Sequence, residues 1–271
     1  MNPAGKKKIL QCRVLSNRKI TEEHYMMGIE APWLAKAANP GQFVNIKAGD
    51  NTTDPLLRIP MGIYKVRPGG ISFLYKVIGK GTRLLAERKK GETLDVLGPL
   101  GKGFDLALLK RKKFLDIIMV SGGHGVVPLN CLAEHLSDRG SKIDFFMGAR
   151  TAGHIAGFSD VRKTGARVHI ATDDGTRGYK GCVTDLLVKH LDRGYAGKNS
   201  VIYACGPRPM IAVIKNISMR YGVSAQVTYD EYMACGIGAC RGCAVDTVEG
   251  IKLACKDGPV FDAEILRLKS D

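Results

Sequence analysis

The sequence predicts a small antiparallel β-barrel, then a parallel doubly wound α/β sheet, then a small cysteine-bearing domain at the C-terminal end. Three observations carry this. Short alternating apolar runs broken by Gly, Pro and Asp fill residues 8–100, as in a small barrel. From about residue 111 to 225 apolar runs alternate with helical patterns, as in a parallel sheet with crossover helices. Four cysteines then fall at Cys235, Cys240, Cys243 and Cys255. The implied domains are 1–108, 109–225 and 226–271.

The elements follow in order. Phe43-Val-Asn-Ile and Ile71-Ser-Phe-Leu-Tyr-Lys-Val read as barrel strands, with one helix over Thr82–Arg88. Gly98-Pro-Leu-Gly-Lys-Gly-Phe104 is a Gly/Pro-rich break suited to a boundary. Phe114-Leu-Asp-Ile-Ile-Met-Val120 is apolar on both alternating faces, as for a strand covered on both sides. Next come a helix from Val126 to about Leu136, strands Ile143–Met147 and Val168–Ala171, and helix Val183–Leu191. Strand Val201–Ala204 and helix Pro209–Tyr221 complete the alternation. The last segment holds the cysteines and another short β-rich stretch.

The 271 residues are 45% hydrophobic, enough for real cores. No run reaches about 18 apolar residues, so no membrane-spanning helix is expected. The start, Met-Asn-Pro-Ala-Gly-Lys-Lys-Lys, lacks the apolar stretch of a signal peptide. Cys12, Cys131, Cys182 and Cys205 are scattered, which suits a reducing cytoplasm. The net charge is +15, from 41 Lys and Arg against 26 Asp and Glu. The basic runs Lys6–Lys8, Arg88–Lys90 and Lys110–Lys113 are separate and not interleaved with aromatics. No nucleic-acid-binding signature accompanies them. They read as solvated surface, or as a face for an acidic protein or an anionic cofactor.

The cysteine spacing is C-x4-C-x2-C-x11-C. Its opening is the plant-type spacing for a 2Fe–2S cluster. Gly236, Gly238 and Gly242 allow the tight backbone that turns N–H groups toward sulfur. Structural zinc usually takes a C-x2-C pair in each half, and the second half here supplies one cysteine with no nearby pair or His. A disulfide framework suits short secreted chains better than this one.

Three loops at strand ends carry further chemistry. Ser121-Gly-Gly-His-Gly-Val-Val-Pro-Leu129 joins a strand to a helix. It is not G-x-G-x-x-G, yet its glycines and the helix N-terminus suit phosphate. His124 reads as a loop residue facing ligand or solvent. Tyr203-Ala-Cys-Gly-Pro-Arg-Pro-Met210 puts a cysteine at a strand end, by default a structural one. Thr172-Asp-Asp-Gly-Thr-Arg-Gly-Tyr179 offers Asp173 and Asp174 to ribose hydroxyls, although Asp-Asp-Gly is also an ordinary turn.

Together these segments resemble the ferredoxin–NADP reductase superfamily. More narrowly, they are similar to the electron-transfer subunits of class B, NAD-dependent, dihydroorotate dehydrogenase. The order carries the resemblance: Leu57-Arg-Ile-Pro-Met-Gly-Ile63, Gly79-Lys-Gly-Thr82, Gly98–Phe104, Ser121–Pro128, Thr172–Gly175, Ala204-Cys-Gly-Pro207, Met233–Cys240 and Cys255-Lys-Asp-Gly-Pro-Val-Phe261. It covers nearly the whole chain.

The resemblance implies an FAD barrel, a central NAD domain and a 2Fe–2S domain. FAD would lie along Arg58, Pro60, Met61 and Gly62, the strand Leu74, Tyr75 and Lys76, and Gly81 with Thr82. NAD(H) would place its phosphates on Gly122, Gly123, Gly125, Val126 and Pro128. Cys205, with Gly206 and Pro207, would lie near nicotinamide and flavin, the position of a catalytic residue. The family pattern Arg-Pro-x-Ser is altered: Ile59 replaces the arginine thought to meet the FAD pyrophosphate, and Gly62 replaces the serine. Arg58 projects to the opposite strand face, so either another cation binds the pyrophosphate or flavin binding differs. His124 also stands where small or aliphatic residues are usual in the family.

The implied activity is that of an NAD(P)H-linked oxidoreductase subunit. It would pass electrons between NAD(H), FAD and the cluster to a partner catalytic subunit, with dihydroorotate dehydrogenase of pyrimidine biosynthesis the first candidate. The same module could serve another multi-subunit NAD(P)-linked oxidoreductase, as in sulfhydrogenases, or persist as a structural adaptor without flavin. Arg150 and Arg177 sit in plausible loops, but no arginine cluster marks a 2′-phosphate site, so NAD is expected over NADP. A hetero-oligomer, with no nucleic-acid partner, is expected.

Overall fold

The computed structural model describes residues 6–50, 52, 54–107, 109, 116–137, 141–194 and 199–268. The basic run Lys110–Lys113 and the first residues of the expected strand, Phe114 and Leu115, lie outside them. The chain divides into two compact units. One comprises Met1–Gly103, Asp230–Ala244 and Leu253–Pro259; the other comprises Phe104–Tyr229, Val245–Lys252 and Val260–Asp271. The segment 226–271 is thus shared between both.

The first unit is a curled antiparallel sheet. Its strands are β1 (Lys8–Lys19), β2 (His24–Glu30), β3 (Phe43–Lys47), β4 (Ile59–Gly62), β5 (Lys65–Arg67), β6 (Gly70–Lys76) and β7 (Thr93–Leu100). They are bonded in the order β4-β3-β7-β1-β2-β6-β5. Only Ile63 and Tyr64 separate β4 from β5. The Ile63 N–H donates to the Gln42 carbonyl at 3.3 Å and the Tyr64 N–H to the Ser72 carbonyl at 2.8 Å. These two bonds prolong the β4–β3 and β5–β6 pairings across the bend, so one stretch of chain serves both ends of the curled half-barrel. Alternation fills the inside: Cys12 and Val14 of β1, Leu94 and Val96 of β7, and Ile71 and Phe73 of β6 are all buried. Helix α1 (Pro32–Ala37) buries Leu34, and α2 (Lys80–Glu87) buries Leu85. The expected helix Thr82–Arg88 is α2, begun two residues earlier.

The second unit is a seven-stranded sheet: β8 (Asp116–Gly122), β9 (Ile143–Ala149), β10 (Arg167–Thr172), β11 (Tyr179–Lys180), β12 (Ser200–Cys205), β13 (Ser224–Thr228) and β16 (Val260–Asp262). The order is β11-β10-β9-β8-β12-β13-β16. All pairings are parallel except that of β16, which runs antiparallel along the edge beside β13. The strictly parallel sheet expected from the sequence is therefore mixed. The strand that follows the Cys-bearing segment joins the sheet at its edge, antiparallel to β13. Helices α3 (Val126–Ser137), α4 (Phe158–Lys163), α5 (Val183–Asp192) and α6 (Arg208–Tyr221) make the crossovers. In α6, Ile211, Ile214 and Ile217 form the buried stripe; Pro209 fits its first turn and Gly222, at φ 62°, ends it. A separate hairpin pairs β14 (Ala244–Thr247) with β15 (Gly250–Leu253). Among the described residues no helix is long and apolar enough to cross a membrane.

One polar cluster sits inside the second unit, away from the carboxyl ends of the strands. Asp144, at the start of β9, faces Arg167 of β10 in register. Its carboxylate accepts two guanidinium bonds at 2.6 and 2.7 Å and pairs with His169 Nε2 at 2.6 Å. His169 stacks on Phe146, and buried His190 packs edge-on against both rings. Burial would raise the Asp144 pKa, but the bonds from His169 and Arg167 outweigh it and bring it down to about 2. Burial lowers the pKa of His190; Asp144 opposes this, while His169, Arg167 and Arg193 add to it. Both shifts make the unfolded chain bind more protons in acid, so both contributions are lost as pH falls. His190 acts first, below its unfolded value of about 6.5, and Asp144 below about 4. Thermal denaturation followed between pH 8 and 2 should show two losses. His190→Leu should flatten the upper one, and Asp144→Asn the lower one while lowering Tm at neutral pH by about 3 °C. An unchanged upper limb in His190→Leu would remove His190 from this account.

Candidate functional site

Strand order places the first loops. β8 and β12 are neighbours whose crossovers leave in opposite directions, β8 toward β9 and β12 toward β13. Ligands of doubly wound sheets bind in the crevice such a switch opens at the carboxyl ends. Two of the three loops singled out in the sequence leave from here. Gly122 lies beside Pro207 and Met210: a Cβ on it would stand 2.8 Å from each. A Cβ on Gly125 would fall on the Cys205 carbonyl, so the α3 entry turn touches the β12 backbone directly. Gly206 is equally hemmed, with the Gly122 nitrogen 3.1 Å from where its Cβ would be. Gly123 is exposed at φ 54° and His124 is exposed. Val126 is buried at the start of α3, with Pro128 in its first turn. Cys205 is buried at the end of β12, and Pro207 caps α6. The structure therefore brings Gly122, Gly125, Cys205, Gly206 and Pro207 together around one crevice.

Asp173 and Asp174 are not part of that cluster. They follow β10, two strands from β8, and are exposed. The Asp174 carboxylate accepts bonds from the Thr176 N–H (3.0 Å) and hydroxyl (2.7 Å). Those bonds hold its pKa below the usual value. Asp174 is thus engaged in its own turn, while the Arg177 guanidinium lies 4.1 Å over the Phe158 ring.

In the barrel, Arg58 donates to the Asp95 carboxylate at 2.6 Å and the Asp95 carbonyl at 3.2 Å. The guanidinium is committed to β7. Ile59 packs on Gly81: a Cβ on Gly81 would run into its Cδ1. Pro60 is exposed, Met61 buried and Gly62 half-buried. Thr82 caps α2, its hydroxyl accepting the N–H groups of Ile78 (3.0 Å) and Gly79 (3.1 Å). Nearby, Lys80 pairs with Asp54 at 2.6 Å. Leu74 and Tyr75 are buried, and the Tyr75 phenol donates to Asn17 at 3.0 Å, so these two can offer a ligand only backbone. Lys76 pairs with Glu23 at 2.7 Å.

The four cysteines belong to the first unit and form two pairs. Cys243 and Cys255 are buried with their sulfurs 3.2 Å apart, too far for a disulfide at about 2.05 Å. The Cys255 N–H points at the Cys243 sulfur (3.5 Å). The Cys235 sulfur accepts the N–H groups of Ile237 (3.5 Å) and Cys240 (3.4 Å), and Cys240 that of Gly242 (3.5 Å). Gly236, Gly238 and Arg241 take φ 69°, 87° and 60° to make this wrapping possible. Burial would raise the Cys235 thiol, but those N–H groups overcome it and bring it to about 6. Burial, then the adjoining Cys243, push Cys255 up to about 12, and the charge of Cys235 adds to that. Among the described residues no three His, Cys, Asp or Glu side chains converge on one metal position. Two thiol pairs ringed by N–H donors suit a two-metal cluster with two thiolates on each iron.

Sequence reasoning missed Asn45. It is fully buried in β3 and its amide donates to the Cys235 carbonyl at 3.5 Å. The one available signal was a polar residue inside the apolar run Phe43–Ile46. It also missed Asp95, the partner that occupies Arg58.

The description "iron-sulfur cluster binding domain of dihydroorotate dehydrogenase B" matches residues 230–267, and "oxidoreductase NAD-binding domain" matches residues 119–216. The dihydroorotate dehydrogenase B (NAD(+)) electron transfer subunit of Desulforamulus reducens is 37% identical over 260 residues, spanning 94% of this chain and 96% of that one. The corresponding subunit of Caldanaerobacter subterraneus is 35% identical, spanning 94% and 97%. Among solved structures, a chain of the NADH-dependent reduced ferredoxin-NADP oxidoreductase studied for flavin-based electron bifurcation superposes with a TM-score of 0.83. It is 30% identical, with 96% of this chain and 90% of that one covered. A curled antiparallel half-barrel, a switch point between β8 and β12 and a two-by-two cysteine loop, matched in sequence over nearly the full length, make this chain a member of the family of dihydroorotate dehydrogenase B electron-transfer subunits within the ferredoxin–NADP reductase-like fold.

Proposed function

We propose that this chain carries electrons between NAD(H), FAD and a 2Fe–2S cluster and passes them to the catalytic subunit of a dihydroorotate dehydrogenase in the cytoplasm. The observation that carries the proposal is the pairing of the four cysteines under backbone N–H groups, on a chain whose Gly-rich strand-end loops also meet at the β8/β12 switch point. Bound flavin exchanges a hydride with nicotinamide and single electrons with iron, which is why both groups belong on one chain.

The chain's own residues have definite tasks in this reading. Gly122, Gly123 and Gly125 let a dinucleotide phosphate approach the α3 N-terminus, whose N–H groups and dipole meet its charge. Cys205, Gly206 and Pro207 form the opposite wall, where a nicotinamide ring would rest. Pro60, Met61 and Gly62 offer strand backbone to a flavin, and Gly81 and Thr82 the α2 entry. Because Arg58 is held by Asp95 and Ile59 is apolar, Lys80 is the cation at that entry available to a pyrophosphate, exchanging Asp54 for it. Cys235 with Cys240 would hold one iron and Cys243 with Cys255 the other. The sulfur-directed N–H groups stabilise thiolate ligands and tune the potential.

A second reading changes only the partner. The 30% identity to a bifurcating oxidoreductase chain supports the same module in another multi-subunit NAD(P)-linked enzyme. Co-purification from the native host decides: an FMN-type barrel dehydrogenase reducible by dihydroorotate supports the first reading, and a different large oxidoreductase overturns it.

Three further outcomes are expected. The purified chain should show flavin bands over the broad cluster absorbance; a spectrum without flavin would sink the electron-splitting role. Cys240→Ser should abolish the cluster signal and leave NADH reduction of flavin within about twofold; a persisting cluster would overturn the ligand set. Gly125→Ala should cost about 1–3 kcal/mol by overpacking against Cys205 and slow NADH-to-flavin reduction by at least roughly tenfold. Unaltered reduction kinetics would separate that turn from the nucleotide.

A further inference from the structure

We infer that Asn45 is a positioning residue for the cluster: its amide anchors the turn of the first cysteine ligand to the barrel strand that neighbours the flavin-side strand. The inference rests on the proposed cofactor set and adds a residue to it that neither the motif nor the spacing contains.

Asn45 sits in the middle of β3, opposite Pro60 of β4 on one side and Leu97 of β7 on the other. The β3–β7 register slips between Phe43 and Asn45. An irregularity of this kind re-aims a side chain. Here the Asn45 amide nitrogen reaches the Cys235 carbonyl at 3.5 Å. The fit is reciprocal: a Cβ on Gly236 would land on that nitrogen, with the Asn45 Cγ 3.0 Å and the Leu100 Cδ1 3.2 Å away. Gly236 must also take φ 69°. Two demands therefore fall on one glycine, a left-handed backbone and room for an amide.

Stability does not account for an asparagine here. The side chain is 0% exposed, its one described bond is long, and its Oδ1 has no hydrogen-bond partner. Burying an amide so incompletely bonded is unfavourable beside an apolar side chain of similar volume. What the amide does instead is fix the carbonyl of Cys235, the residue whose sulfur then receives the Ile237 and Cys240 N–H groups. Holding that carbonyl holds the plane of the peptide leading into Gly236, and so the pitch of the turn that aims those donors. Hydrogen bonds to the sulfurs raise a cluster's reduction potential.

The experiment uses the purified full chain, with iron and flavin assayed in wild type and in Asn45→Leu. The variant should retain both groups at wild-type stoichiometry. Its cluster should have a lower reduction potential, a changed EPR line shape in the reduced state, and flavin-to-cluster transfer slowed by roughly tenfold. Gly236→Ala, whose Cβ would displace the Asn45 amide while keeping the asparagine itself, should lower the potential in the same direction. Wild-type potential and EPR in Asn45→Leu, with only the melting temperature changed, would show a merely structural residue and overturn the inference. If Asn45→Leu does not fold, Asn45→Ser, too short to reach the carbonyl, is read in its place. A wild-type chain lacking iron or flavin would instead defeat the cofactor reading, and is recognised before any variant is made.

Discussion

The second unit depends on two backbones lying closer than side chains would allow. The turn into α3 rests on the carbonyl of Cys205 because Gly125 has no Cβ, and Gly122 and Gly206 let the two strand-end loops touch. This contact fixes the direction in which α3 leaves β8. It therefore fixes where the helix N–H groups point, and with them the floor of the crevice. The flanking apolar strands, buried along nearly their whole length, give it a rigid base. Preorganised dipoles on rigid strands are what a charged ligand needs, since nothing must be reordered when it arrives.

The barrel solves a different problem. Its polar groups are arranged by pairing rather than by close approach: Arg58 with Asp95, Lys76 with Glu23, Lys80 with Asp54. The three differ in exposure. Lys80 and Asp54 are the most open, at 69% and 67%, so their ion pair is worth little and is readily exchanged for another anion. Arg58 and Asp95, at 21% and 27%, are held more firmly. Near α2 the charge of Lys80 is thus more readily re-paired than that of Arg58.

The order of elements was legible because hydrophobic periodicity reports it directly. The strand through Ile117–Val120 and the helices Val183–Asp192 and Arg208–Tyr221 lie within about two residues of where their patterns put them. The cysteine loop and the Gly-rich turns were legible because tight backbone restricts residue type: Gly236 and Gly238 take φ 69° and 87°. Antiparallel β16 was not, since three residues, Val260–Asp262, carry no period of their own. The bend at Ile63 and Tyr64 between β4 and β5 was hidden for the same reason. Asn45 escaped because its role depends on a carbonyl far along the chain, in Cys235, and no local pattern announces such a pairing. Asp95 taking Arg58 is likewise a cross-strand fact.

The placement of β16 governs how the chain can be made and cut. β13 and β16 are adjacent strands, yet residues 229–259, with all four cysteines of the loop, lie between them. Backbone passes from one unit to the other after 103, 229, 244, 252 and 259. Neither unit is one continuous stretch, so neither can be excised by a single truncation. During synthesis the cysteines emerge before the strand that shuts their loop. Until Val260–Asp262 leaves the ribosome, the loop has one tether instead of two. Once that strand zips onto β13, the ends of the loop are held by the sheet itself. The entropy of closing the loop is then met by strand pairing in the sheet.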